Sequence, residues 1–197
     1  MISQFFTPEI VIAYAILTVL TACPTYIVYL LARKRQAARP IPHFPYGVRG
    51  WLLIFVATVV LSIILTALDA ANVANHMRQT TGTINWSFIS PYIVVCGLYI
   101  YCLWLITFQR AAFVVKHVIV ILWVVGPVSL LLLSFFFNAT VANGVIIRSS
   151  IYAAIWTCYF LFSKRVACTY GTKAVDSYVE VALKMAQAQK EVKEKKK

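Results

Sequence analysis

The sequence is poor in charged residues, and acidic residues are the scarcest of them. Charged side chains make up 12% of the 197 residues, and six residues are Asp or Glu, whereas soluble domains contain about 25% charged residues. A soluble domain in which 61% of the residues are hydrophobic would expose large apolar patches, which drive association. We therefore predict that lipid, and not water, surrounds most of the chain.

Groupings of catalytic or metal-binding residues are also missing from the sequence. The five cysteines show no CxxC spacing, and the three histidines fall in or beside different predicted loops. No nucleophile, base and orienting group can be placed within reach of one another. The sequence thus predicts a protein that is not an enzyme, with no catalytic residue, no metal site and no cofactor.

Long apolar runs are abundant. A helix needs about 20 apolar residues to cross a bilayer, and five runs of roughly that length occur at about 10–32, 51–72, 86–108, 118–138 and 144–162. Backbone groups in hydrocarbon must pair within their own segment, and continuous runs do not show the alternation of barrel strands. The predicted fold class is all-α, a polytopic membrane bundle of five transmembrane helices. The fifth is the weakest, because Arg148 interrupts it.

Basic residues flank these runs on one side of the predicted membrane. Sixteen of the eighteen Lys and Arg residues fall on that side, which predicts an N-terminus outside and a C-terminus in the cytoplasm. The residues that set this topology include Arg33, Lys34, Arg35, Arg110, Lys164 and Arg165. Because the net charge of +12 is divided into short flanking runs, it predicts contact with anionic lipids at the cytoplasmic face and no nucleic-acid partner.

Two ionisable residues fall inside predicted helices, where charge is costly and is often functional. Asp69 lies near the far end of the second helix, and Arg148 lies one turn into the fifth. Both are expected near the outer boundary, which predicts an ion pair between them. The alternative is that each side chain reaches the outer headgroups independently.

A stripe of small residues follows the second helix at intervals of four: Thr58, Ser62, Thr66 and Ala70. Such stripes let membrane helices approach closely, so we interpret this one as a helix-packing surface. A polar pathway is the alternative, although transporters usually have broken helices or deeper charges at the midplane. Pro24 and Gly126–Pro127 are expected to kink their helices.

Two segments resemble a bacterial inner-membrane family known as domain of unknown function 2569. Gly47–Leu53 resembles the Gly-Gly-Trp-Leu start of that family, and Ile155–Val166 resembles its aromatic last helix, which ends in Ser-Lys-Arg-Val before a Thr-aromatic pair, here Thr169 and Tyr170. Arg49 stands where a second glycine is usual, and the chain has an additional leading helix. The resemblance implies a membrane fold and a compartment, and no activity.

The resulting domain prediction has four parts. Residues 1–36 form the first transmembrane helix, 37–50 a proline-rich cytoplasmic loop, 46–170 the four-helix membrane domain of that family, and 171–197 a basic cytoplasmic tail. The loop is either a plain connector or an extended segment that binds a partner. The tail has a one-sided helical apolar pattern, and it is expected to lie on the membrane surface, to dock on the bundle, or to pair with another subunit.

The sequence leaves two main classes of function open. The leading hypothesis is a non-enzymatic structural or regulatory component of an assembly in the bacterial inner membrane, with other membrane proteins or a second copy of the chain as partners. The alternative is a transporter or channel subunit for a small solute or ion, supported by Asp69, Arg148 and the proline kinks. A lipid-modifying enzyme would need catalytic residues that the sequence does not group together.

Overall fold

The computed structural model describes residues 8–35, 47–137 and 143–172, and in the tail residues 176, 179–181, 184 and 187. Its elements are all helical: α1 (Pro8–Arg33), α2 (Trp51–Thr81), α3 (Trp86–Phe108), α4 (Ala112–Trp123), α5 (Ser129–Phe137), α6 (Asn143–Phe162) and α7 (Lys164–Tyr170). Within these residues, five helical spans are long and apolar enough to cross a membrane, so the all-α prediction is confirmed. Most of the proline-rich loop and of the tail lies outside the described residues.

The second helix is longer than its apolar run predicts. Its sequence contains no glycine or proline from Trp51 to Thr81, and the helix ends only at Gly82, whose left-handed φ of 72° closes it. A helix of 31 residues is about 46 Å long at 1.5 Å per residue, whereas the hydrocarbon core is about 30 Å thick. The last turns of α2 therefore extend beyond the apolar part of the helix.

The fourth span is helical throughout, but it changes from α-helix to a π-helical turn at the predicted kink. Between α4 and α5, Val124–Val128 forms a π-helical turn that contains Pro127, which cannot donate a backbone hydrogen bond. At the same turn, a Cβ atom on Gly126 would lie 2.8 Å from Ser149 Oγ of α6. The missing side chain lets α6 approach closely at this point. Pro24, by contrast, lies within the unbroken helix α1.

The core lies at one end of the bundle. We call this the basic end: it is where α1, α3 and α6 end and where α2 and α4 begin, and the opposite end is the far end. The buried residues of α2 all fall within its first ten positions, and those of α6 are Ala153, Trp156 and Phe160 in its second half. Among the described residues, packing is therefore dense at the basic end and sparse toward the far end.

Aromatic rings hold α2 against α6 within this core. The Phe55 ring lies 4.8 Å from the Trp156 ring and 4.9 Å from the Phe160 ring, in edge-to-face arrangements. Such pairs add about 0.5–1.5 kcal/mol beyond the area that they bury. They fix the spacing of the two helices next to the basic end.

Candidate functional site at the basic end of the bundle

The six residues predicted to set the topology all lie at the basic end. Three follow one another at the end of α1, Arg110 lies in the turn between α3 and α4, and Lys164 and Arg165 begin α7. One of these cations contacts an aromatic ring: the Arg35 guanidinium lies 5.6 Å from the Phe108 ring centroid. The structure thus gathers these six residues at one end, and the compartment that this end faces stays a prediction.

Helix α7 closes the basic end of the bundle. Its first turn is capped by Ser163, whose side chain accepts a hydrogen bond from the Val166 amide, and it ends at Gly171 with a left-handed φ of 64°. The five residues Val166–Tyr170 are all buried. A seven-residue helix is too short to be stable alone, so its burial against the other helices must maintain it.

A hydrogen bond joins α7 to the segment that precedes α2. The Gly47 amide donates to Thr169 Oγ1 at 2.8 Å, and Thr169 Oγ1 donates to the Arg165 carbonyl at 2.7 Å. Gly47 has φ 84°, a conformation that favours glycine. The two segments that carry the family resemblance are therefore in direct contact.

Arg110 connects three helices through a single guanidinium group. Its Nη1 donates to the Ile106 carbonyl near the end of α3, and its Nη2 donates to the Ala32 carbonyl near the end of α1 at 3.2 Å. The group also lies 5.5 Å from the centroid of the Tyr170 ring in α7. Tyr170 Oη in turn donates to the same Ile106 carbonyl at 3.1 Å. We call Gly47, Arg110, Thr169 and Tyr170 the basic-end cluster.

The electrostatics of the cluster depend on helix ends and not on acids. Within the described residues Arg110 forms no ion pair with a carboxylate, and its buried Nε has no hydrogen-bond partner. Burial lowers the pKa of the Arg110 guanidinium, but the helix-end carbonyls, which carry partial negative charge, and the face of the Tyr170 ring favour its cation. Burial also raises the pKa of Tyr170, so its hydroxyl remains a donor. The cluster therefore stabilises the contacts among α1, α3 and α7.

The sequence indicates Arg110 only as a topology residue, and its contacts come from the structure alone. One local signal was available, because Arg110 stands two residues after the end of α3, where a cation can bind the last carbonyls of a helix. No pattern in the sequence indicates that the end of α1, which is 78 residues away, shares this cation.

The structure describes both Asp69 and Arg148, and no ion pair joins them. Both side chains are exposed, which fits the alternative that each reaches the outer headgroups independently. On the neighbouring part of the two helices, Tyr152 Oη of α6 donates to Thr58 Oγ1 of α2 at 2.7 Å. Contact between Asp69 and Arg148 in the membrane stays a prediction.

The predicted packing stripe lies on a half-buried face of α2. Thr58, Ser62, Thr66 and Ala70 are all of intermediate exposure. Thr58 accepts the hydrogen bond from Tyr152, and Ser62 donates to the Thr58 carbonyl at 2.9 Å. The stripe thus starts at the contact with α6 and continues past Val60, the last buried residue of α2.

An apolar groove of about 930 Å³ runs between α1 and α2. On α1 it extends from Tyr14 to Tyr29, and on α2 from Leu53 to Leu61. The hydroxyls of its threonines donate to carbonyls of their own helix, as in the bond of 2.7 Å from Thr25 to Thr21. These threonines therefore present mainly their methyl groups to the groove.

The described ranges offer no site for a metal ion. They contain no group of three or more His, Cys, Asp or Glu residues that could hold one. The five cysteines are free thiols, of which Cys102 and Cys168 are buried. Burial raises the pKa of the Cys168 thiol, which disfavours the reactive thiolate.

One comparison with known proteins gave a match. A family model described as "Protein of unknown function (DUF2569)" matches residues 45–171. The match begins just before Gly47 and ends just after Tyr170, so it includes the whole basic-end cluster and leaves α1 outside. No curated protein and no solved structure matches the chain.

Proposed function

The chain belongs to the DUF2569 family of proteins of unknown function, and from this membership and its five membrane-length helices we propose that it resides in the bacterial inner membrane. In this proposal the basic end faces the cytoplasm, because Lys and Arg are retained on that side. The protein acts there as a non-enzymatic structural or regulatory component of a membrane assembly.

The half-buried stripe on α2 is the observation that carries this proposal. Thr66 and Ala70 lie beyond the last buried residue of the helix, and Val73 and Met77, which continue the same face by three and seven residues, are also of intermediate exposure. Small residues permit close backbone approach, which drives association of helices in lipid. A second transmembrane helix, from another membrane protein or a second copy of this chain, fits against this face.

A transport function would require different features. Transporters place charges and discontinuous helices near the midplane, whereas α2 is unbroken and Asp69 lies toward its far end. The groove between α1 and α2 is lined mainly by apolar side chains. These observations favour assembly over conduction.

Fusion of compartment-specific reporters tests the orientation. A periplasmic phosphatase fused before residue 1 should be active, and a fluorescent protein that folds only in the cytoplasm should be bright when fused after residue 197. Five crossings require the termini to lie on opposite sides, and the basic runs determine which side is cytoplasmic. Activity of the same reporter at both termini would contradict the five-helix topology, and the reversed pattern would contradict the proposed orientation.

Bulky substitutions on the stripe test the assembly function. Thr66→Phe and Ala70→Phe should reduce, by at least about tenfold, the amount of partner cross-linked to a photoreactive residue at Val73 on the same face, because a phenyl ring prevents close helix approach. Ala15→Phe, at an exposed alanine of α1, is the matched control and should leave cross-linking unchanged. Unchanged cross-linking in the α2 variants, or solute flux through liposomes that contain the purified chain, would contradict the proposal.

A further inference from the structure

We infer that the groove between α1 and α2 is a binding site for one anionic phospholipid, with an acyl chain in the groove and the phosphate at Arg49 and Arg33. This site is separate from the packing stripe of the proposed function. It uses α1, which lies outside the family match, so it is a feature that this chain adds to the family's domain.

The mouth of the groove carries two cations. Tyr29 lines the groove at the basic end, and the Arg49 guanidinium lies 6.0 Å from the centroid of its ring. Arg33 follows Tyr29 by four residues and therefore projects from the same side of α1, one turn closer to the membrane surface. Arg49 and Arg33 are both exposed, so their charged groups are accessible to a headgroup.

No acid competes for the cations at the mouth of the groove. Among the described residues, no carboxylate forms an ion pair with Arg33 or Arg49. A second depression, of about 520 Å³, lies on the other side of α1 and is lined by Leu30 and Lys34 among others, so it does not belong to this groove. A phosphate group bound at the mouth would meet positive charge without a competing acid.

On α2 the groove matches the depth of a single leaflet. Its lining there extends from Leu53 to Leu61, a rise of about 12 Å. On α1 it continues from Tyr29 to Tyr14, about 22 Å. One leaflet contributes about half of the 30 Å hydrocarbon core. An acyl chain whose phosphate lies at Arg49 would therefore remain beside the apolar walls for most of its depth.

Charge favours a lipid over a protein helix as the occupant. A transmembrane helix in the groove would bring its own backbone and apolar side chains against the cationic mouth and would leave Arg49 and Arg33 without a partner. An anionic lipid supplies the apolar chain and the negative charge in one molecule. A zwitterionic lipid supplies the chain but neutralises its own phosphate, so the site should discriminate by headgroup.

Native mass spectrometry of the full chain, purified in mild detergent and mixed with equal amounts of phosphatidylglycerol and phosphatidylcholine, tests the headgroup. The wild-type chain should retain phosphatidylglycerol preferentially. Arg49→Gln and Arg33→Gln should each lower that preference about fivefold, since a cation near a membrane surface contributes about 1 kcal/mol. Lys116→Gln removes an exposed cation of α4 at the same end and should have no effect. An equal loss in Lys116→Gln, or no headgroup preference in the wild type, would overturn the inference.

A second variant tests the groove itself. Ala57→Phe places a ring among the groove-lining residues and should reduce the retention of both lipids, whereas Ala67→Phe, at an exposed position of the same helix, should not. Size-exclusion profiles identify variants that fail to fold. If Ala57→Phe leaves lipid retention intact and instead abolishes a dimer or a protein complex, the groove holds a helix and the inference is wrong. Glycerol phosphate in excess should not displace the lipid, because it lacks the acyl chain.

Discussion

Tyr170→Ala is expected to unfold the basic end of the bundle. Tyr170 is 1% exposed, and replacing a buried aromatic side chain with alanine typically costs about 3–5 kcal/mol. The substitution also removes the hydrogen bond to the Ile106 carbonyl and the ring that faces Arg110. Thermal unfolding in detergent should show a large loss of stability, with α7 becoming susceptible to protease before the transmembrane helices.

Two other tyrosine variants separate the causes of this loss. Tyr170→Phe keeps the ring and loses only the hydroxyl, so it should cost about 1 kcal/mol. Tyr101→Ala removes a tyrosine that is 41% exposed and should have little effect. If Tyr170→Ala were no more destabilising than Tyr101→Ala, α7 would not close the bundle.

Alkaline pH should weaken the same contact. Burial raises the pKa of Tyr170 above its ordinary value of about 10, so the folded state favours the neutral phenol. This contribution to stability is complete below about pH 10 and is lost as the pH rises toward the folded-state pKa. The stability of the wild type should therefore fall more steeply above pH 10 than that of Tyr170→Phe, and equal slopes would assign the alkaline loss to other groups.

Arg110→Leu is the second change with a large expected effect. It removes the donors that bind the Ala32 and Ile106 carbonyls, and hydrogen bonds to a charged group contribute about 1.5–3 kcal/mol each. Water can replace part of this, so we expect a loss of at least about 2 kcal/mol. Because Ala32 belongs to α1, the variant should also loosen α1 from the remaining helices, which a disulfide-independent cross-linker between α1 and α3 would detect.

Conservative and distant substitutions serve as controls for Arg110. Arg110→Lys retains the charge, but an ammonium group cannot match the planar fork that reaches two carbonyls, so it should recover only part of the stability. Lys116→Leu removes an exposed cation at the same end and should be neutral. Full rescue by lysine would show that charge alone, and not the geometry of the guanidinium, is what the cluster requires.

The transmembrane spans were largely predictable because a helix in lipid requires a run of about 20 apolar residues. The run at 86–108 coincides with α3, since polar residues and loop signals bound it on both sides. The end of α2 was wrong by nine residues, because hydropathy falls after Asn72 whereas the backbone remains helical until Gly82. Apolar length shows where a helix contacts lipid, and turn-forming residues determine where it stops.

The cluster was less predictable, because its contacts join residues that are distant in sequence. The Gly47–Thr169 bond and the Arg110–Ala32 bond span 122 and 78 residues. Hydrophobic periodicity in the sequence does not indicate contacts between residues so far apart. The predicted pair of Asp69 and Arg148 also joins residues of two helices, and the sequence does not give the relative depth of those helices. The contact between Thr58 and Tyr152 shows where α2 and α6 meet, which no sequence pattern indicates.

The bond between Gly47 and Thr169 joins a residue near the start of the matched region to one near its end. Domains with adjacent ends tolerate rejoining and reopening elsewhere, so the order of the helices along the gene is less constrained than their arrangement in space. The tail follows this contact along the chain, a few residues after Thr169. A force applied to the tail is therefore expected to load the Gly47–Thr169 contact before it reaches the transmembrane helices.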